Sequence, residues 1–343
     1  MKVLMVYSPA ADVARGGIWT QVHQTAEALR SLGLDVDVLS SLHESPSRKF
    51  DVCHVVGANM ATYHIARELH RKGIPIVVSP VFYSRHAPSY LRFGRFSQRL
   101  LSKVIRGFWT DYGFIGEIAE WARAVLPNTR AEALLLQNGL AVSPEKIHVV
   151  PNGVDERFYN ARPDLFRSRY GKENFILNVG QFAEGRKNTL RLIRVLHSIE
   201  SESVIIGQAE DPAYFERCRV EAARNLRLLL LDAMGNDSDL LASAYAACEV
   251  FVLPSLYETP GIAALEAGLA GAKVVITQYG GTEEYFESWA DYVDPRSDQS
   301  IAEGIRSAMS RQKTQELREH IRKNFLWSSV GERTFEVYKK VLS

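Results

Sequence analysis

Residues 250–268 read VFVLPSLYETPGIAALEAG, a strand, a turn and a helix in direct succession. The apolar run over 250–254 predicts a strand of a parallel sheet, because strands of that kind are buried on both faces. Thr259 and Pro260 are residue types that helices prefer as N-cap and as first helical residue. The stretch therefore predicts a βα unit whose turn lies at the carboxyl end of the sheet.

The same alternation of apolar runs and helical periods continues in both directions along the chain. A chain of 343 residues is too long for one ordinary core, and the pattern restarts near its middle. We therefore predict an α/β protein with two doubly wound, Rossmann-like domains. Strands are expected at 2–8, 35–39, 52–57, 75–81, 124–127 and 147–151, then at 175–179, 203–206, 228–231, 250–254 and 274–277.

Three segments are expected from this pattern. The first domain should cover residues 1–162 and the second should cover 163–324. Residues 325–343 should form a final helix, near 330–341, that returns to the first domain.

Composition and charge bear on the partner and on the cellular compartment of the protein. The formal net charge of +1 is nearly neutral, so no nucleic-acid partner is expected. The cysteines Cys53, Cys218 and Cys248 are odd in number and widely spaced, which favours a reducing compartment over disulfides or a zinc site. No apolar run reaches membrane-spanning length, and the N-terminus is interpreted as a first strand. The expected location is the cytoplasm, with peripheral attachment to the inner face of the membrane as a possibility.

The turn after residue 254 predicts an anion site. The amides of Gly261, Ile262 and Ala263 would be free at the helix start, where the helix dipole favours a phosphate or pyrophosphate. Glu258 would stand outside the helix tip, and Glu266 would lie roughly 9 Å further along its axis. Such a spacing does not exclude the paired carboxylates of an inverting glycosidase, although the anion-binding turn favours a phosphorylated donor. In the alternative interpretation both carboxylates are simply solvated.

A second cluster follows the first strand of the second domain. Residues 178–188 read NVGQFAEGRKN, in which Gly180 ends the strand and Arg186 and Lys187 precede a helix. These two cations could neutralise a diphosphate and stabilise it as a leaving group. A solvated Arg–Lys pair is the alternative.

Two further loops have candidate roles. One could contact a ligand through its backbone, and the other could join the two domains. Gly16 and Gly17 follow the first strand and would let a ligand approach the backbone, or would simply form a tight turn. Residues 151–155 read PNGVD and are expected to begin the linker.

Taken together, these motifs resemble the retaining GT-B glycosyltransferases of family 4, and the resemblance covers nearly the whole chain. Glu258 and Glu266 match the motif in which two glutamates flank seven residues, Gly16 and Gly17 match the glycine loop, and residues 151–155 match a Pro-Asn-Gly-Val-Asp stretch. The resemblance implies a nucleotide-diphosphate sugar donor, UDP or GDP, with Glu258 contacting the sugar and Glu266 the ribose. It also implies catalysis without a metal and retention of anomeric configuration.

The chain departs from the family pattern at two positions. Gln181 stands where the family often has an arginine, and Arg186 is the candidate substitute. The family histidine after the fourth strand is missing, and His86 is the candidate replacement. The expected catalytic residues are Glu258, Lys187, Arg186 and His86. The expected donor-binding residues are Gly16, Gly17, Gly180, Arg186, Lys187, Glu258, Gly261, Ile262, Ala263 and Glu266.

Residues 89–109 predict one amphipathic helix with a cationic side. Its basic residues recur every three or four positions, at Arg92, Arg95, Arg99, Lys103 and Arg106. An apolar stripe accompanies them, at Phe93, Phe96, Leu100, Val104 and Phe108. We hypothesise that this helix contacts an anionic membrane surface or receives a lipid-linked or acidic acceptor. In the alternative, the apolar stripe packs on the first domain.

The resemblance thus implies a retaining, metal-independent glycosyltransferase that needs no cofactor. It would transfer a sugar to a glycan or lipid-linked acceptor, in the assembly of a bacterial surface glycan or glycolipid. Two rivals stay open at this stage. One is a nucleotide-sugar 2-epimerase of similar fold, and the other is a non-catalytic sugar-binding or membrane-binding scaffold.

Overall fold

The computed structural model describes residues 1–14, 16–39, 50–101 and 110–343, apart from the side chains of Ala14 and Arg99. The chain divides into two compact units. The first unit comprises Met1–Gly153 and Trp327–Ser343, and the second comprises Val154–Leu326. The first boundary therefore falls before Val154, earlier than the position expected after residue 162. The reason is a 3-10 helix, Glu156–Asn160, whose Phe158 ring packs 5.6 Å from the ring of Tyr245 in the core of the second unit.

The first unit contains a five-stranded parallel sheet in the order β2-β1-β3-β4-β5. Its strands are β1 (Lys2–Tyr7), β2 (Asp35–Leu39), β3 (Val52–Val56), β4 (Ile76–Ser79) and β5 (Ala124–Val125). Its helices are α1 (Ala10–Ala14), α2 (Gly17–Ser31), α3 (Met60–Arg71), α4 (Pro88–Leu101), α5 (Asp111–Trp121), α6 (Arg130–Leu140) and the C-terminal α15 (Trp327–Leu342). Helices lie on both faces of the sheet, which explains why β3 and β4 are buried throughout.

The prediction of a strand at 147–151 is wrong. The segment is extended and donates two backbone hydrogen bonds to residues 125–127. They run from the His148 N–H to the Val125 carbonyl (2.9 Å) and from the Val150 N–H to the Pro127 carbonyl (3.0 Å). An isolated bridge joins Ile147 to Val125. Because Pro127 and Pro151 have no N–H group, a regular ladder cannot continue between the two segments.

The second unit contains a six-stranded parallel sheet in the order β11-β10-β9-β6-β7-β8. Its strands are β6 (Ile176–Phe182), β7 (Ser203–Ala209), β8 (Leu228–Asp232), β9 (Val250–Leu253), β10 (Lys273–Thr277) and β11 (Ala290–Val293). Its helices are α7 (Asp164–Tyr170), α8 (Thr189–Leu196), α9 (Pro212–Ala222), α10 (Asp239–Ala247), α11 (Ile262–Leu269), α12 (Glu283–Phe286), α13 (Asp298–Ser310) and α14 (Glu316–Asn324). The sequence prediction missed β11, a four-residue edge strand with two polar positions. Together the two sheets confirm the predicted α/β class.

The C-terminal helix α15 belongs to the first unit, where two contacts hold it. A Cβ on Gly331 would lie 2.7 Å from the Cβ of Ala28, so the glycine allows α15 to approach α2 closely. The Tyr338 hydroxyl lies 2.7 Å from Nδ1 of His54, whose Nε2 lies 2.9 Å from the Ser79 hydroxyl. Burial lowers the pKa of His54 to about 3, so this histidine is a neutral part of the core.

Across the described ranges, none of the helices combines the length and the apolar character needed to cross a bilayer.

Replacing Tyr338 with phenylalanine should lower the free energy of unfolding by about 1–3 kcal/mol, because the buried His54 nitrogen loses its partner. Urea denaturation of purified protein measures the change. Tyr292→Phe is the matched control, since the Tyr292 hydroxyl donates to the Glu287 carbonyl at an exposed position. Equal effects of the two substitutions would contradict the importance of the His54 network.

Candidate functional site

Glu258 is a buried carboxylate held by two cations in the second unit. It follows β9 and is 4% exposed. Its Oε1 accepts a hydrogen bond from Lys187 Nζ (2.7 Å), and its Oε2 accepts one from Arg186 Nη1 (2.8 Å). Burial raises the pKa of the carboxyl, but the charges of Lys187 and Arg186 outweigh it and hold the pKa at about 2. At neutral pH the cluster thus contains two cations and one anion, a net charge of +1.

The two cations differ in their surroundings. Lys187 is mostly buried, and burial lowers its pKa while the nearby charge of Glu258 opposes that change. Arg186 is partly open to solvent and its guanidinium lies 5.7 Å from the centre of the Tyr257 ring. Gly180 lies beside Lys187, since a Cβ on this glycine would be 3.9 Å from the lysine Cδ. Gln181 lies inside β6, which runs three residues beyond its predicted end at residue 179.

Backbone hydrogen bonds hold the Glu258 segment in place. The Glu258 N–H donates to the Tyr279 carbonyl (3.1 Å), and the Gly281 N–H donates to the Glu258 carbonyl (2.9 Å). Between these partners Gly280 has φ +106°, and a Cβ there would lie 1.9 Å from the Glu258 carbonyl oxygen. A glycine is therefore required at residue 280 for this close approach.

A second set of bonds joins the Arg186 segment to the same turn. The Leu256 N–H donates to the Arg186 carbonyl (2.7 Å). The Asn188 side chain donates to the carbonyls of Pro254 (3.0 Å) and Pro295 (2.7 Å). The cation-bearing loop and the loop of Glu258 are thus fastened to each other through their backbones as well as through charge.

Helix α11 begins two residues later than the sequence predicted. Gly261 is its N-cap at φ +85°, and Ile262 is its first residue, so Thr259 is not the cap and Pro260 is not helical. A Cβ on Gly261 would lie 3.0 Å from Leu253 Cδ2, a tight contact, and the positive φ favours glycine at this position. Helix geometry gives the N–H groups of Ile262 and Ala263 no intrahelical acceptor. The start of α11 therefore presents two amides and the positive end of the helix dipole.

Glu266 lies four residues into α11 and is buried, not on the helix surface as the alternative interpretation had it. It accepts a hydrogen bond from the Tyr245 hydroxyl (2.8 Å). Burial raises the pKa of Glu266 to about 7, although the Tyr245 bond and the charge of Arg157 lower it in part. The carboxyl is consequently poised between its two protonation states near neutral pH.

Sequence reasoning missed Tyr245 as a site residue. It is a fully buried residue of α10, a helix with no motif around it, and its partner is 21 positions away in the sequence. No local signal identifies such a residue, because packing of α10 against α11 brings its hydroxyl to Glu266.

The remaining predicted residues lie in the first unit. Gly16 is the N-cap of α2 in an extended conformation, and Gly17 is the first residue of that helix. His86 is exposed, stacks on Tyr90 with ring centres 4.4 Å apart, and donates its N–H to the Ser84 hydroxyl. Lys103 and Arg106 fall outside the described residues, as does the side chain of Arg99.

The cationic side predicted for residues 89–109 needs one correction. Arg95 faces inward, where it forms an ion pair with Glu120 (2.9 Å) and contacts the Gly116 carbonyl. A guanidinium on an internal helix face needs an acidic or carbonyl partner, and α5 supplies both.

Within the part of the chain that the structure describes, no group of three or more His, Cys, Asp or Glu side chains is arranged to hold a metal ion.

Replacing Gly280 with alanine should lower the free energy of unfolding by about 2 kcal/mol or more, since it adds a clash with the Glu258 carbonyl to the strain at positive φ. Gly271→Ala is the matched control, because Gly271 has φ +97° and open space around a Cβ. Urea denaturation of both variants separates the two effects. Equal losses of unfolding free energy in the two variants would show that the clash with the Glu258 carbonyl contributes nothing to the destabilisation.

Replacing Glu266 with glutamine should change how stability depends on pH. The folded-state pKa of about 7 lies above the ordinary glutamate pKa of 4.5, so the wild type loses stability as pH rises between these values. The variant lacks this loss and should gain about 2 kcal/mol on the wild type between pH 5 and pH 8. Denaturation curves across this range test it, with the exposed Glu200→Gln as control. Parallel pH profiles for wild type and Glu266→Gln would contradict the assignment.

Two family models match the chain in succession. The Glycosyltransferase Family 4 model matches residues 42–158, and the Glycosyl transferases group 1 model matches residues 165–325. Each match falls almost wholly within one structural unit.

Curated relatives are about one quarter identical to the chain over the aligned residues. An MMP alpha-(1->4)-mannosyltransferase of Mycolicibacterium hassiacum is 27% identical over 68% of this chain and 58% of its own length. An alpha-maltose-1-phosphate synthase of Mycobacterium tuberculosis is 27% identical over 59% of this chain and 58% of its own. The chain thus spans just over half the length of these relatives.

Solved structures resemble the chain over its whole length. Sucrose-phosphate synthase from Thermosynechococcus elongatus aligns with a TM-score of 0.78, at 18% identity, over 99% of both chains. HepE from Anabaena, in complex with UDP and glucose, aligns with a TM-score of 0.71, at 18% identity, over 99% of this chain and 100% of its own. At this identity the likeness concerns the fold, which is GT-B. With both units matched in turn by the family models, the chain belongs to the group 1, family 4 glycosyltransferases.

Proposed function

We propose that the protein is a retaining, metal-independent glycosyltransferase that moves a sugar from a nucleotide-diphosphate donor to an acceptor. The observation that carries this proposal is the buried Glu258 carboxylate, bridged by Arg186 and Lys187 and followed directly by the start of α11. This arrangement puts a net positive charge and two amides without an intrahelical acceptor in one unit. A diphosphate is the anion that suits both.

The diphosphate would share with Glu258 the cations that this carboxylate now holds. Arg186 is partly exposed, so it can turn toward a phosphate while Lys187 keeps its bond to the carboxylate. Charge-assisted bonds from these two residues would stabilise the leaving diphosphate, the role that a divalent ion has in other transferases. Metal independence is part of the proposal for this reason.

The two glutamates would hold different parts of the donor. Glu258 is ionised and would accept hydrogen bonds from sugar hydroxyls. Glu266, kept in place by Tyr245, would accept bonds from the ribose. The donor nucleotide is proposed to be UDP or GDP, and the UDP complex of Anabaena HepE, a protein of the same fold, supports UDP as the first to test.

For the acceptor we propose a growing glycan or a lipid-linked sugar of a bacterial surface. His86 is included in the proposed catalytic set, as the residue that replaces the family histidine. Its exposed position leaves the imidazole accessible to a substrate.

Nucleotide binding by variants of the cation pair tests the donor site. Lys187→Ala should weaken UDP or GDP binding about 10- to 100-fold, because one charge-assisted bond to phosphate is lost. Glu258→Gln should bind the nucleotide at least as tightly as the wild type, because the competing carboxylate charge is gone, yet lose donor turnover about 100-fold or more. Isothermal titration calorimetry and a donor hydrolysis assay measure the two effects.

Lys172→Ala is the matched control, since Lys172 is also an ion-paired lysine of the second unit. Unchanged nucleotide binding by Lys187→Ala would show that the site is wrongly assigned. Turnover that stops with EDTA would contradict metal independence, and an inverted product anomer, detected by NMR, would contradict retention.

The same assays separate the rival functions. An epimerase would convert the nucleotide sugar without any acceptor, whereas a scaffold would bind without turnover. Release of nucleotide diphosphate that rises on adding a glycan or lipid-linked acceptor is the result expected of the transferase.

A further inference from the structure

Helix α4 is firmly seated on the first unit by its inner face. Leu91 and Gln98 are buried, and the Gln98 side-chain oxygen accepts a hydrogen bond from the Thr110 N–H (2.8 Å). Glycines on the facing helices make room for these side chains. A Cβ on Gly113 would overlap Gln98, and one on Gly139 would lie 2.7 Å from Leu91. The orientation of α4 about its axis is therefore determined by close packing.

The outer face of α4 carries large apolar side chains in solvent. The exposed fractions are 55% for Tyr90, 70% for Phe93, 64% for Phe96 and 57% for Leu100. At about 100° per residue these four side chains share an arc of about 120°, centred roughly opposite the inner face. Phe93, Phe96 and Leu100 belong to the stripe that one interpretation of the sequence packed on the first domain, whereas Val104 and Phe108 of that stripe fall outside the described residues. Four large side chains on one helix face form a contiguous patch, unlike scattered exposed residues.

The charged residues within the segment that carries this patch have one sign. Between Phe82 and Thr110 the sequence holds Arg85, Arg92, Arg95, Arg99, Lys103 and Arg106 and no aspartate or glutamate. Among the described cations, Arg95 is matched by Glu120 of α5, and exposed Arg92 donates to the carbonyl of Asn138. Another acidic residue of α5, Glu117, accepts a hydrogen bond from the Tyr63 hydroxyl. The segment therefore keeps an excess of positive charge.

We propose that the outer face of α4, formed by Tyr90, Phe93, Phe96 and Leu100, binds the surface of an anionic bilayer. Aromatic side chains favour the boundary between headgroups and acyl chains, and neighbouring arginines favour negatively charged lipids. A helix held rigidly on its inner face presents the stripe without reorganisation. This inference goes beyond the proposed function, because it concerns attachment to a membrane and is measured without any nucleotide.

Flotation of the full chain with lipid vesicles tests the proposal. Vesicles of phosphatidylcholine with phosphatidylglycerol should carry the wild type upward, and vesicles of phosphatidylcholine should carry at least about fivefold less. Raising the salt concentration should reduce binding, since it screens the attraction to anionic lipid. The double substitution Phe93→Ser with Phe96→Ser should reduce the bound fraction at least about fivefold.

Controls keep the outcome interpretable. Leu226→Ser removes a fully exposed apolar side chain of the second unit and should float like the wild type. The double variant should keep the wild-type melting temperature and nucleotide affinity, because both phenylalanines are exposed. The proposal would be overturned if the wild type stayed at the bottom of the flotation gradient with both kinds of vesicle. This holds whether or not the protein self-associates in size-exclusion chromatography. Flotation of the double variant at the wild-type level would also overturn it.

Discussion

A carboxylate buried in a protein interior needs compensating charge, and the second unit is organised around that requirement at Glu258. Arg186 and Lys187 come from a loop 71 or more residues away and reach the two oxygens separately. Removing one partner of such a group is costly, because the remaining charge stays buried. The loops after β6 and β9 must therefore keep their relative positions, and their backbone hydrogen bonds supply that constraint. A site formed in this way is preorganised before any ligand arrives.

Two glycines in this region allow the close backbone approach on which these loops depend. Gly280 lets its loop touch the Glu258 carbonyl, and Gly261 fits between the ends of β9 and β10. Because both lie in loops that follow parallel strands, the chain converges where α/β proteins bind ligands. Helix α11 begins at Ile262, shortly after Glu258 in the same unit, which is why a phosphorylated donor is the ligand we propose.

Burial raises the pKa of both glutamates of the motif, but their different partners give opposite net shifts. Glu258 has two cations and stays ionised, whereas Glu266 has a tyrosine hydroxyl and a raised pKa. Helix α4 gives a second example of similar residues in different surroundings. Its buried face holds Leu91 and the polar Gln98, and its exposed face holds aromatic rings. In both places a residue type says little about its environment. The neighbouring element decides whether a charge is matched or an apolar ring is covered.

The sequence by itself determined the α/β class, the two-unit organisation and the strand–turn–helix that carries both glutamates, because burial and backbone hydrogen bonding impose local periods that residues 250–268 display. Tertiary structure decided the pairing of Glu258 with Arg186 and Lys187, the contact of Tyr245 with Glu266 and the inward turn of Arg95. It also set the start of α11 at Ile262 and the unit boundary before Val154. These features depend on which surfaces of distant elements meet, and no local period of a sequence encodes such contacts.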